Sequence, residues 1–143
     1  MPIIEWNAGF MLGIGEIDQH HKQLVQLLND TYDEFRAGSR IGMPVIDQLI
    51  GHAERIFSLE EQLMRESCYP QLSEHLTEHE GFSCRIEGFK ANYTNSEGTS
   101  IELLWFLCNW VTHHLRETDA ELAQFLEVRK IQKRLKKPTL PPR

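Results

Sequence analysis

Four stretches of this chain repeat apolar residues at steps of three and four, the spacing of one helix face. Histidines and a glutamate interrupt that face. The seams read Ile17, His21, Leu24, Leu28, Thr31, Phe35, then Ile46, Leu49, Ala53, Ile56, Glu60, Leu63, then Leu72, His75, His79, Phe82, Ile86, Phe89, Tyr93, and finally Leu103, Leu107, Trp110, His114, Thr118, Leu122, Leu126. A residue on such a seam faces the core. A buried imidazole or carboxylate without a partner costs several kcal/mol, roughly 2–7 for a neutral polar group. Helix backbone groups already bond within their own helix and offer no partner. One histidine placed this way reads as a satisfied core residue. His21, Glu60, His75, His79 and His114, spread over four helices, demand something shared.

The breakers set the architecture. "AGSRIGMP", "SCYP" and "NYTNSEG" separate the seams, and Pro44 suits a helix start. Helices are expected over about 18–36, 44–66, 70–92 and 99–134. Four helices joined by short connections predict an all-α, antiparallel up-down-up-down four-helix bundle. The 143 residues suit one domain. It is expected over residues 1–128, with residues 1–17 as an N-terminal arm that packs Trp6, Phe10 and Met11 on the bundle.

Residues 129–143, RKIQKRLKKPTLPPR, form a basic segment interrupted by Pro138, Pro141 and Pro142. It reads as a solvated helix end and a Pro-containing tail. Without its seven basic residues, the first 128 residues hold 8 Lys and Arg against 21 Asp and Glu, a net charge of −13. A body that acidic does not attract nucleic acid. No apolar run approaches the ~20 residues that span a bilayer. "MPIIEWNAGF" has neither a basic n-region nor a cleavage pattern. Cys68, Cys84 and Cys108 are odd in number and widely spaced, which points to reduced thiols and a cytoplasmic setting.

Height along the bundle brings the polar seam residues to one level. His21 lies near the start of the first helix, Glu60 near the end of the second, and His75 and His79 near the start of the third. The fourth helix returns and carries His114 and Asp119 to the same region. At ~1.5 Å per residue all of them fall within roughly two or three turns of one another. "HLTEH" sets His75 and His79 at i,i+4, so both imidazoles project from one face. "HLRETD" sets His114 and Asp119 at i,i+5, which should turn the carboxylate to the edge of the face, within reach of a second ion. Imidazoles with carboxylates suit iron, manganese or zinc better than magnesium or calcium.

Taken together, the chain resembles the hemerythrin family, specifically the bacterial hemerythrins, over about residues 6–126. The resemblance rests on Trp6 in the arm, and on Ile17, Asp18, His21, Leu24 and Asn29 in the first helix. It continues through Glu60, Glu61, Met64, Tyr69 and Pro70, then His75, His79 and Phe82, and ends with Trp110, His114 and Asp119. It implies a di-iron cofactor. His75, His79 and His114 would hold one iron and His21 the other, with Glu60, Asp119 and an oxo or hydroxo group bridging them. The family places a further histidine four residues before the glutamate, and Ile56 stands there instead. The departure falls on the second iron, which binds O2 in the family. Three outcomes are open: water in the gap, a weakly held second iron that leaves a one-metal site, or His52 or His20 in the ligand's place. Ile56, Leu103, Leu107 and Trp110 are expected to line an apolar pocket. The implied function is binding O2, or another small diatomic or peroxide ligand. The alternatives are a redox enzyme acting on peroxide, NO or ferrous iron, and a sensor working through a protein partner.

Overall fold

The computed structural model describes residues 3–93 and 97–136. Helices α1 (Gly15–Arg36), α2 (Met43–Glu66), α3 (Leu72–Ala91) and α4 (Glu97–His113) follow one another through short connections. A five-residue π turn, His114–Thr118, then leads directly into α5 (Asp119–Lys136). Helices α4 and α5 therefore form one long fourth limb. Helix α1 packs on α2 and α4, and α2 packs on α3. This is the expected four-helix bundle. Helix α5 runs unbroken through residue 128 to Lys136. Pro138, Pro141 and Pro142 lie outside the described residues.

Two helix ends show how the sequence makes the turns. At the end of α1, Gly38 takes a φ of 106°, the Gly38 N–H donates to the Phe35 carbonyl and the Ser39 N–H to the Glu34 carbonyl. That pair of bonds is a Schellman motif. At the end of α2, the Cys68 N–H donates to Arg65 and the Tyr69 N–H to Met64, giving the same motif. Here the left-handed residue is Cys68, at φ 55°, where glycine is the usual occupant.

The arm is held by two buried polar residues of α1. The Leu12 and Gly13 N–H groups donate to the Asp18 carboxylate at 2.6 and 3.1 Å. Asn29 accepts from the Ile4 N–H at 3.0 Å and donates to the Ile4 carbonyl at 2.9 Å. Phe10 is buried and Trp6 half-buried against it. Met11, expected to pack on the bundle, is instead 49% exposed. The short helical turn over Ala8–Phe10 directs Phe10 inward and leaves Met11 on the outside.

The core is split in two. The larger cluster includes Leu24, Ile56, Phe57, Phe82, Val111 and Leu115, and the smaller comprises Leu12, Ile17, Met64, Tyr69 and Leu122. On each limb a candidate ligand falls between a member of one cluster and a member of the other. His21 lies between Ile17 and Leu24, Glu60 between Phe57 and Met64, His75 and His79 between Tyr69 and Phe82, and His114 and Asp119 between Val111 and Leu122. A polar layer thus crosses an otherwise apolar interior.

Candidate metal centre

All six residues expected at the site meet in that layer, each at most 3% exposed. Glu60 Oε1 lies 3.1 Å from His75 Nε2, 3.1 Å from His79 Nε2 and 3.3 Å from His114 Nε2. The Nε2 atoms of His79 and His114 face each other at 3.3 Å. On the other side, His21 Nε2 lies 2.6 Å from Glu60 Oε2 and 3.4 Å from Asp119 Oδ2. Asp119 Oδ1 is 3.1 Å from His114 Nε2 and 3.3 Å from His75 Nε2. Two donor sets result: Glu60, His75, His79 and His114 in one, and His21, Glu60 and Asp119 in the other.

Three observations fit these residues to metal ions. Metal–ligand bonds of about 2.0–2.2 Å place neighbouring ligand atoms ~3 Å apart, which is the spacing seen here. Both oxygens of Asp119 are buried and lack a well-formed hydrogen bond, a costly arrangement for a carboxylate unless a cation takes the lone pairs. Among the described residues, the only side chains paired with Glu60 or Asp119 are histidines; no Lys or Arg balances them.

The electrostatics express the same demand for positive charge. Burial pushes Glu60 up, but its contacts with His114, His21, His75 and His79 outweigh it and hold the carboxyl well below the usual range. Burial pulls His75 down, yet Asp119 and Glu60 carry it up to about 9. His114 is likewise lowered by burial and raised further by Asp119, Glu60 and Glu78, ending well above the ordinary value. Protons on imidazoles thus stand in for the cations that the two carboxylates require.

The π turn explains how Asp119 enters. An α-helix would have turned the i,i+5 residue to the edge of the face. In the π turn, the Asp119 N–H donates to the His114 carbonyl, an i→i+5 bond. One extra residue in the turn brings the carboxylate under His114.

Sequence reasoning missed the residues that orient the ligands. His79 Nδ1 lies 2.8 Å from Glu61 Oε2. His114 Nδ1 lies 2.8 Å from Glu78 Oε1, and the Thr118 hydroxyl donates to both Glu78 oxygens at 2.7 and 2.6 Å. These carboxylates hold the Nδ1–H tautomer and leave Nε2 for a metal. Burial pushes Glu78 up, but His114 and Thr118 bring it down to about 2. Phe57 stacks on His79 at 3.9 Å, and Trp110 stacks on His114 at 4.5 Å. The signal for Glu61 and Glu78 was a carboxylate one residue off the seam beside a ligand.

Ile56 is buried, one turn before Glu60, within the larger apolar cluster that also holds Leu103 and Leu107. His20 and His52 are half-buried, and neither belongs to the two donor sets. The second set therefore has one imidazole.

Residues 12–126 match the model of the hemerythrin HHE cation binding domain. This chain belongs to the hemerythrin family. It is 30% identical to a bacteriohemerythrin of Stenotrophomonas maltophilia over 86% of this chain and 81% of that protein. It is 29% identical to one from Clostridium acetobutylicum over 81% of this chain and 95% of the relative. A myohemerythrin of Theromyzon tessulatum is 25% identical over 80% of this chain and 87% of its own length. The hemerythrin domain binds a di-iron centre, and the His, Glu and Asp cluster of this chain is able to hold it. No helix among the described residues is long and apolar enough to cross a membrane.

Proposed function

We propose that this hemerythrin domain binds O2, or a related small ligand such as NO or peroxide, at a di-iron centre whose second iron lacks one imidazole. The observation that carries the reading is the unequal pair of donor sets. His75, His79, His114 and Glu60 converge as one group, while His21 joins Glu60 and Asp119 as the other. His75, His79 and His114 would hold the first iron and His21 the second, with Glu60 and Asp119 shared between them. When bound, a ferrous pair supplies the electrons on which O2 chemistry draws. The protein holds six ligands in a buried layer, limits solvent with Ile56, Leu103, Leu107 and Trp110, and fixes two imidazole tautomers through Glu61 and Glu78. The free thiols of Cys68, Cys84 and Cys108 suit a reducing, cytoplasmic setting.

Ile56 favours a second reading. A branched apolar group in place of an imidazole leaves the second donor set with His21, Glu60 and Asp119, which would give a metal there fewer protein ligands. That suits turnover of peroxide, NO or ferrous iron, or sensing through a protein partner, more than long-lived O2 storage.

Iron content, together with the absorption spectrum after reduction and re-exposure to air, separates the readings when native protein is compared with Ile56→His. The exchange costs the core about 1–3 kcal/mol before metal binds, and ligation returns more than that. The variant is expected to carry more iron per chain and to keep its oxygenated spectrum longer. If native protein already binds two irons tightly and its oxygenated spectrum lasts as long, Ile56 is a neutral replacement and the shortened ligand set explains nothing.

A further inference from the structure

Of the three imidazoles in the larger donor set, two are fixed twice over. His79 is held by Glu61 and stacked by Phe57, and His114 is held by Glu78 and stacked by Trp110. His75 has neither support. Its Nδ1 is buried without a partner, and its ring meets Tyr69, His79 and His114 only edge-on. Turning this ring would give up the Nε2 contacts to Glu60 and Asp119 but no hydrogen bond at Nδ1.

His75 also lines a cleft of about 250 Å³ between α3 and the start of α5, together with Tyr69, Glu74, Glu78, Glu117 and Glu121. Among the described residues no Lys or Arg lines this cleft, and its basic group His113 is paired with Glu117 at 2.6 Å. A second cleft, between α2 and α3, reaches His79 past Glu54 and Glu80. Its way in is closed by the Phe57 stack and the Glu61 contact.

We infer that the acidic cleft over His75 is the port through which a hydrated divalent cation reaches the centre, with Glu74, Glu117 and Glu121 drawing it in and His75 turning aside to admit it. The inference rests on the proposed ligand set. The carboxylates concentrate the cation and replace part of its water shell. The unsupported imidazole then takes it first, and the rigid pair, His79 and His114, completes the donor set. A port acts on entry and exit alike, so altering it changes both rates and leaves the equilibrium where it was.

The test is stopped-flow uptake of Co2+ by chelator-stripped full-length protein, followed by cobalt absorbance at low and high salt. Dissociation is measured by chelator challenge. Glu117→Gln/Glu121→Gln removes two charges from the cleft and no ligand. Glu54→Gln/Glu80→Gln removes two from the other cleft. The first variant is expected to slow association and dissociation together by about tenfold, with the dissociation constant within about twofold and a weakened salt dependence. The second is expected to match native protein. An unchanged rate in the first variant overturns the port, and so does equal slowing in the second. Weaker binding at an unchanged association rate also overturns it, because the carboxylates would then act on the bound state. Failure of native protein to take up stoichiometric Co2+ refutes the ligand set itself, and is read from the end point rather than the rate.

Discussion

Removing the Glu78 carboxylate tests whether the groups around the ligands govern metal affinity. In Glu78→Ala, His114 Nδ1 loses its partner at 2.8 Å, and the Thr118 hydroxyl loses the oxygens it now meets at 2.7 and 2.6 Å. Hydrogen bonds to charged groups are worth about 1.5–3 kcal/mol. That matches the 10–100-fold loss of affinity typical when the partner of a ligating histidine is removed. The low position of Glu78, about 2, agrees in direction. A quarter of its side chain is exposed, so screening puts the expected loss nearer the lower end, about 10–30-fold. Competition between protein and a chelator of known affinity for Co2+ measures it directly. Glu78→Gln keeps an acceptor for His114 without the charge and should fall between native and Ala. Thr118→Val keeps the carboxylate on His114 and should lose about threefold or less. If the Ala variant retains affinity within twofold of native, the carboxylate does not set the imidazole, and the reasoning fails.

Two further outcomes follow from other parts of the molecule. Cys68 holds a left-handed conformation at φ 55°, which costs a non-glycine residue about 1–2 kcal/mol. After the greater unfolded-state freedom of glycine, about 0.5–1 kcal/mol, Cys68→Gly should gain roughly 0.5–1 kcal/mol; a urea melt no more stable than native would count against this. In metal-free protein His75 is raised to about 9 by Asp119 and Glu60 against the pull of burial. A raised histidine adds stability that is full below its unfolded value of 6.5 and disappears as pH rises through about 9. Metal needs the neutral imidazole and displaces those protons. The gap between the melting temperatures of cobalt-loaded and stripped protein should therefore widen from pH 6.5 to 9, and a constant gap across calorimetric scans would contradict the assignment.

The bundle and five of the six candidate ligands were legible because they lie on one periodic signal, while Asp119 sits one residue off the seam. The seam that buries Leu28 and Leu107 also carries His21 and His114, so a single rule located core and site together. What escaped lies off that rule. Glu61 follows the seam residue Glu60 and Glu78 precedes the seam residue His79, yet each serves an imidazole on another helix, His79 and His114, and nothing in the spacing of one helix shows that pairing. The π turn did leave a trace: from Trp110 onward the fourth seam steps by four at each turn, through His114, Thr118, Leu122 and Leu126. That outpaces the 3.6 residues of an α-turn and calls for an inserted residue. Phe57 escaped because it is adjacent to the seam residue Ile56, and its role appears only when α3 is placed beside α2. Met11 was misplaced because a three-residue helical turn in the arm leaves no periodic signature.

The layered interior gives Ile56 its physical meaning. With Phe57 it forms the edge of the larger apolar cluster on α2, where that cluster meets the polar layer. An isoleucine there extends the apolar side by one side chain, worth about 1.5–3 kcal/mol when fully buried, and narrows the layer that needs cations. The same asymmetry runs through the supporting contacts. Two of three imidazoles in the larger donor set are held at Nδ1 by carboxylates, whereas His21, the lone imidazole of the smaller set, has a buried Nδ1 with no partner. One set is rigid and rich in nitrogen; the other depends on the two shared carboxylates. On the proposed ligand set the first metal would be held as part of the structure, and occupancy, solvent and ligand would compete at the second position; that competition would separate a carrier from a catalyst or a sensor.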